Sequence, residues 1–540
     1  MQIESSVCAC AGLLADHQPG ETAGPRNQHW PRTVWFLAAG FWLFGMLVQI
    51  WRLESLTATY DQALFLQELW STAQGRPFES SLSSVLSGAV AVHGDLPRID
   101  YLHLGQHANA LTLLAAPLVV WIGPWALPLL QVSLLTAAGL VFWRVASRNL
   151  NQALALRLTC AYYLSGAVIG PMLENFHDLI WLPLLGFLVI EGLLERRWWQ
   201  VACAALPLLL VREDSGLVLF SLGLWAVVRR PCARWVGAAL MLLSLVWVVV
   251  MTTAIQPSFD SSLSDRFLQE KFGHLVDDVS GGTVQVVLAM LRRPGALLAA
   301  LVSPPGTTLG FLLALSLPLL LVPLVSIDVA LLVSAPLLVA LLSQGRTALA
   351  VNLRYVLALV PGLYMGSLLW WKAHPGFWQQ RWVRPAWTGA LSLALTLALV
   401  GNPHRSLSAI VPDSFVPWVH VSPAQMLSRR AAALKAVALV PPQASVAADT
   451  PLLPLLARRE VAIRLPNGVQ YRDRDGATLS VDWVVAYPGY YTPMVPVFRE
   501  EAEMQRLLLD QLASLQASGE YRQVHQDRGL VVLRRAQAQP

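Results

Sequence analysis

Charge is scarce in this chain. Lys, Arg, Asp and Glu make up 13% of its 540 residues, while 55% are hydrophobic; a soluble globular domain is about a quarter charged. A soluble fold is therefore excluded. The ~10-residue alternating strands that a membrane β-barrel needs are also missing, which leaves a polytopic α-helical membrane protein. Cysteine is sparse too. Cys160, Cys203 and Cys232 lie in or beside apolar runs, and Cys8 and Cys10 form a Cys-Ala-Cys in the polar N-terminal tail. That pair reads as plain tail before it reads as a metal or redox site, and no disulfide framework is implied. There is no internal repeat of the kind that marks many transporters, and no low-complexity tract. The net charge of +5 lies between apolar runs, where membrane topology accounts for it, so nucleic acid is not a partner. The tail 1–32 does not read as a cleavable signal peptide, since the run Thr33–Trp51 is too long for the apolar part of one.

What is present is a succession of apolar runs over residues 33–401. About 20 residues span a bilayer core of roughly 30 Å, and short cytoplasmic loops are enriched in Lys and Arg. Placing Ala108–Trp121 in the membrane interface puts Arg144 and Arg148 inside. It does the same for Arg196–Arg197, Arg229–Arg234 and the cluster of Lys372, Arg381 and Arg384. About eleven spans follow: 33–51, 124–146, 153–172, 179–194, 198–211, 215–228, 234–256, 306–325, 327–343, 349–371 and 385–401. The N-terminus is then inside. The outer loop 52–123 and the links 173–178, 212–214, 257–305 and 344–348 face outward, as does the rest of the chain after 401. After 402 the charge density rises and short strand-like runs (444–448, 460–465, 481–486, 529–533) interleave with helical stretches at 423–439 and 499–515. This pattern predicts a small extracytoplasmic α/β domain over 402–540.

The outer side collects the residues that carry chemistry. Asp61, in TATYDQALFLQELW, is placed to take a proton from a hydroxyl or to hold a divalent cation; its alternative role is a helix N-cap. His103 and His107 stand four apart, a spacing that suits zinc on a helix, but the pair lacks the intervening Glu, so a lone His107 hydrogen-bonding a sugar or phosphate is the better reading. Glu174-Asn175-Phe176-His177-Asp178 and Arg212-Glu213-Asp214 are polar links between apolar runs. Ionisable groups near membrane depth are costly and face cavities; their alternative is a surface turn with a weak local ion pair. Arg354 either binds a lipid phosphate or snorkels to headgroups, with snorkelling slightly favoured. The pairs Trp198-Trp199 and Trp370-Trp371 read as interfacial belts.

Several of these segments align with a known family. TATYDQALFLQELWSTAQGRPFESSL, HLGQHANALTLLAAP, ENFHD, VREDSG, and later PPQASVAADTPLLPLLARREVAIRLP with VDWVVAYP resemble the bacterial membrane proteins of the domain of unknown function 2079 family, over roughly residues 35–490. The family more often has Lys at the position of Arg212 and Pro at that of Asp178. It is in turn similar to the GT-C glycosyltransferases. That resemblance implies a multi-pass protein of the bacterial cytoplasmic membrane and a sugar carried on polyprenyl phosphate. It also implies hexosyl or pentosyl transfer at the extracytoplasmic face, with Asp61 as the catalytic base. His107, His177 and Glu213 match the narrower family's blocks. In this scheme His177, Arg212 or Arg354 offset phosphate charge, while Glu213 and Asp214 orient the sugar or bind a divalent cation. Asp178 joins them as a substrate-binding residue. A lipid or solute transporter, or a non-catalytic scaffold with an outer binding domain, is the alternative.

Overall fold

The computed structural model describes residues 30–276, 282–345, 347, 349–401 and 405–536; the segment carrying Cys8 and Cys10 lies outside them. Among the described residues, five helices are long and apolar enough to cross a membrane: Arg32–Glu54, Thr112–Asn149, Gln152–Leu173, Pro231–Phe272 and Val383–Val400. A sixth candidate is the pair Pro294–Ala300 and Pro305–Leu319, bent by 60°. Trp35, Phe36, Leu43 and Leu47 on the first of these are exposed, as expected where lipid replaces protein as the neighbour.

The eleven apolar runs do not become eleven continuous helices. We label the elements used below as α1 (Arg32–Glu54), α2 (Tyr60–Ala73), α3 (Ala126–Asn149), α4 (Leu182–Glu195), α5 (Ser215–Arg229), α6 (Gln256–Phe272), α7 (Val360–Ala373) and α8 (Val383–Val400). At 1.5 Å per residue, α4, α5 and α7 measure about 21–23 Å, short of a full span of roughly 30 Å. The run 306–325 ends its helix at Ser316, and Leu320 and Leu321 take left-handed backbone angles. The run 327–343 is two short helices, Ile327–Leu332 and Ser334–Leu342. Prolines at 318, 323 and 336 sit at these breaks, where each removes a backbone donor. Ala108–Trp121 is likewise broken from α3: a short helix, Ala116–Ile122, ends at Gly123 with φ of 60°, and Leu114, Val120 and Trp121 are exposed. The Trp370-Trp371 belt needs correcting. Trp371 is buried and stacks on Trp387 with ring centroids 5.0 Å apart.

After residue 445 the chain forms a five-stranded sheet with strands β1 (Val446–Ala448), β2 (Ala462–Arg464), β3 (Trp483–Ala486), β4 (Tyr521–Asp527) and β5 (Leu530–Arg535), in the order β2-β1-β3-β5-β4. β1 pairs in parallel with β2 and β3, and β5 joins β3 to β4 by antiparallel pairing. The central strands β1 and β3 are buried along their whole length, so they read as continuous apolar runs. Helix Pro423–Val437 packs against β5 and helix Arg499–Ala517 against β4. This region sits on the 52–123 loop. Ser81 Oγ donates to the Ala462 carbonyl (2.9 Å) and accepts from the Ala462 amide (3.0 Å), and Gln67 donates to the Arg459 carbonyl at 3.0 Å.

Candidate functional site

The ENFHD block is stitched to the end of α1 and the start of α2. Buried Gln49 donates to the carbonyls of Met172 (2.6 Å) and Glu174 (2.7 Å). Arg52, also buried, donates to Asn175 Oδ1 at 2.6 Å, and that oxygen accepts from the Thr59 amide at 3.1 Å. The Phe176 amide donates to Gln62 Oε1 at 3.0 Å. The link is thereby held from neighbouring elements through the Glu174 carbonyl, the Asn175 side chain and the Phe176 amide, as buried polar groups require.

Asp61 occupies the second position of α2, behind Thr59 at the N-cap, and its carboxylate does not cap the helix. Its Oδ2 meets Arg354 Nη1 at 2.6 Å. The same guanidinium lies 3.5 Å from Glu174 Oε1, and the Arg354 amide donates to Glu174 Oε2 at 2.7 Å. Arg354 therefore turns inward to two carboxylates and does not snorkel. Burial pushes the Glu174 carboxyl up to about 7 against the pull of Arg354. His177 is buried with its Nε2 3.9 Å from Glu174.

A second group adjoins the first. Arg212 grips Asp214 through two bonds, at 2.9 and 2.5 Å, the fork geometry that suits guanidinium and carboxylate. Glu213 accepts from His107 Nδ1 (3.0 Å) and from the Ala108 amide (3.1 Å). Burial opposes ionisation of Glu213 and Asp214, but His107 for the first and Arg212 for the second more than offset it and hold both carboxyls below their usual range. Asp178 is fully enclosed; burial raises its carboxyl, although the field of Arg212 acts the other way. Tyr355 joins the two groups, since the guanidinium carbons of Arg212 and Arg354 lie 6.0 and 5.6 Å from its ring centroid, within cation–π range.

All eight residues singled out in the sequence (Asp61, His107, His177, Asp178, Arg212, Glu213, Asp214 and Arg354) thus fall into two adjoining clusters. His103 does not pair with His107 as a metal site. The segment 103–105 is a 3₁₀ turn, His103 bonds Ser83 Oγ at 2.9 Å, and burial pushes its imidazole down to about 3. Among the described residues no three His, Cys, Asp or Glu side chains group as a cation would need, and the oxygens of Glu213 and Asp214 are engaged by His107, Ala108 and Arg212.

Sequence reasoning missed two members. Glu68, seven residues after Asp61 on α2, is wholly buried and accepts from Asn109 Nδ2 at 2.9 Å. Burial pushes it up to about 8, with the Asp178 charge adding to the rise. In QALFLQELW it reads as an ordinary polar helix position. Tyr355 carried only its adjacency to Arg354 as a signal.

A cavity of about 530 Å³ opens beside Arg212, Asp214 and Tyr355. Glu270 and Lys271 of α6 form another part of its polar rim, and Leu179, Leu182, Leu217, Val218, Phe267, Val339 and Ala340 supply an apolar wall. Four helices begin close to site residues: α2 at Tyr60, next to Asp61; α5 at Ser215, just after Asp214; and α4 at Leu182 and α7 at Val360, each preceded by a 3₁₀ turn that opens with Asp178 and Arg354 respectively. Their positive dipole ends converge on the site. The opposite ends of α4, α5 and α7 lie among basic residues, some of them on α3. Arg144 and Arg148 pair with buried Glu191 on α4, Arg229 on α5 pairs with Asp328, and Lys372 on α7 meets Asn149.

A solved structure of ArnT from Cupriavidus metallidurans bound to undecaprenyl phosphate is similar with a TM-score of 0.43 and 12% sequence identity, covering 94% of this chain and 99% of that one. No curated protein matches. The family described as predicted membrane protein (DUF2079) matches residues 52–532, and the chain belongs to that family of membrane proteins.

Proposed function

We propose that the protein transfers a sugar from a polyprenyl-phosphate carrier to a hydroxyl acceptor at the extracytoplasmic face of the bacterial cytoplasmic membrane. One observation carries this: Arg212 and Tyr355 line the polar end of a cavity whose other wall is aliphatic, and Arg354, paired with the partly exposed Asp61, shares that tyrosine ring from just beyond the cavity lining. A ligand with an anionic head and an apolar tail fits that division. Helix N-terminal ends favour the anion further. Basic residues at the far helix ends support an outward-facing site, with residues 402–540 as an outer α/β domain in this reading.

In this mechanism the donor phosphate settles against Arg354 and Arg212. Arg354 then shares its donors with phosphate and loosens its hold on Asp61. The Asp61 carboxylate takes the proton of the acceptor hydroxyl, the acceptor oxygen attacks the anomeric carbon, and the bond from that carbon to the phosphate oxygen breaks. Polyprenyl phosphate leaves with the bonding pair, and its added charge is offset by the two guanidinium groups. A single displacement inverts the anomeric centre. His177, enclosed behind Glu174, positions that carboxylate, and Asp178 does the same for Arg212. His107 holds Glu213, leaving Glu213 and Asp214 to orient the sugar and Arg212.

The test is transfer by nanodisc-embedded protein from synthetic polyprenyl-phosphate hexoses and pentoses. Asp61→Asn removes the proton acceptor and lowers the rate by ~10²–10⁴-fold. Unchanged transfer in Asp61→Asn, with donor affinity intact, contradicts the assignment.

A further inference from the structure

One surface is apolar without being part of any helix in the membrane. Between Ser406 and Val419 the chain forms a small hairpin whose strands, Ser414–Phe415 and Trp418–Val419, pair antiparallel around Val416-Pro417. Ile410, Phe415, Val416 and Trp418 are exposed by 83, 64, 90 and 66%. Phe415 and Trp418 are register partners, with ring centroids 6.0 Å apart, so the two rings stand side by side at the tip. The only charged residue in this stretch, Asp413, is turned away: its side chain is 1% exposed and meets Arg405 at 3.0 Å. Apolar patches left open on a folded chain mark a partner.

The base of the hairpin identifies that partner. α8 ends at Val400. Ser406 Oγ donates to the Leu173 carbonyl at 2.6 Å, where the apolar helix Gln152–Leu173 ends, and Trp51 of α1 donates to Ser408 Oγ at 3.3 Å. Asn352, two residues before Arg354, bonds the Gly401 carbonyl. The hairpin therefore springs from the level at which three membrane helices finish, on the side that carries Asp61. At that level the nearest apolar phase is the lipid itself, and Trp is the residue that settles where acyl chains meet headgroups.

We propose that the hairpin 410–419 is a membrane-interface anchor, whose Ile410, Phe415, Val416 and Trp418 insert among the lipids of the leaflet that borders the site. It seats the C-terminal region on the bilayer. The helix Pro423–Val437 follows it directly and is tied to the outer end of α1 through Arg430 and Glu54, at 3.2 Å. The anchor is independent of which ligand the site takes.

Two measurements on the full chain in lipid nanodiscs test it. With the five cysteines replaced by serine, a spin label is placed at Val416→Cys and, as a control, at Leu509→Cys, which is exposed on the helix Arg499–Ala517. The anchor predicts that oxygen, which partitions into lipid, relaxes the label at 416 several-fold more than a water-soluble nickel chelate does, with the reverse at 509. A label at 416 that follows the one at 509 overturns the proposal. So does a label shielded from both reagents, which would mean a protein partner or a second copy. In the chain with its native cysteines, lipids brominated near the headgroup quench part of the tryptophan emission, and Trp418→Phe reduces that part. Equal quenching in the two proteins overturns the proposal.

Discussion

At the residue scale the site is governed by how few donors serve many acids. Arg354 answers both Asp61 and Glu174, and Arg212 answers Asp214 while lying 3.8 Å from Glu213. Glu68 has no cation among its bonded partners and stays protonated at neutral pH, since burial pushes its carboxyl up to about 8 from an unfolded value near 4.5. The folded state then holds a proton the unfolded chain releases, so this group's contribution to stability is complete below about pH 4.5 and declines as pH rises toward 8. Glu68→Gln keeps the bond to Asn109 without an ionisable proton. Its melting temperature is expected to match the parent near pH 5 and to exceed it by a few degrees at pH 8.5, at roughly 2–4 °C per kcal/mol. A parallel pH dependence in the two proteins contradicts this. The Asp61, FHD and RED positions were legible because charge between apolar runs is conspicuous. Glu68 was not, because its burial depends on the 103–112 segment folding over α2.

At the scale of elements, close packing sets the register of the arginine segment. Gly170, on the helix Gly166–Leu173, lies directly against the backbone of Asn352, so an added Cβ would collide with it, whereas Gly166 has only ordinary contacts, at 3.6 Å or more. Gly170→Ala should therefore shift residues 352–355, move Arg354 and Tyr355 away from Asp61, and reduce transfer by on the order of tenfold, the consequence of small misplacements of catalytic groups. Gly166→Ala should leave the rate near that of the parent. Equal rates in the two variants would show that the segment is not positioned by this contact. Sheet elements were legible where they are buried: β1, β2, β3 and β5 lie in the apolar runs at 444–448, 460–465, 481–486 and 529–533. β4 was not, because Tyr521–Asp527 is an edge strand with polar residues on most of its length. The small hairpin of Gln470–Arg472 with Thr478–Ser480 was hidden in what read as a turn-rich loop. The apolar runs did not foretell continuous helices for a related reason. Hydropathy registers apolar runs, while the breaks at 316–326 and 333 come from backbone geometry and helix ends.

For the whole molecule, the acids and histidines of the site gather at one end of α4, α5 and α7, and the other ends lie among arginines and Lys372, to which Glu191 and Glu195 of α4 are paired or adjacent. The account places the first end outside the cell. An impermeant maleimide added to intact cells is expected to label Gly476→Cys, at an open turn of the C-terminal region, and to label exposed Cys232, beside the basic cluster 229–234, only after the cells are opened. The reverse order would invert the topology and remove the site from the extracytoplasmic face. The most direct test of the central claim uses a polyprenyl phosphate with a photoreactive group in its first isoprene units, cross-linked to the embedded protein and mapped by mass spectrometry. The account predicts adducts on the aliphatic wall at Leu179–Leu182, Leu217–Val218 and Val339–Ala340, competed by unmodified polyprenyl phosphate and lost in the Arg212→Gln/Arg354→Gln double variant. Adducts confined to other surfaces, or adducts on this wall that survive loss of both arginines, would contradict it.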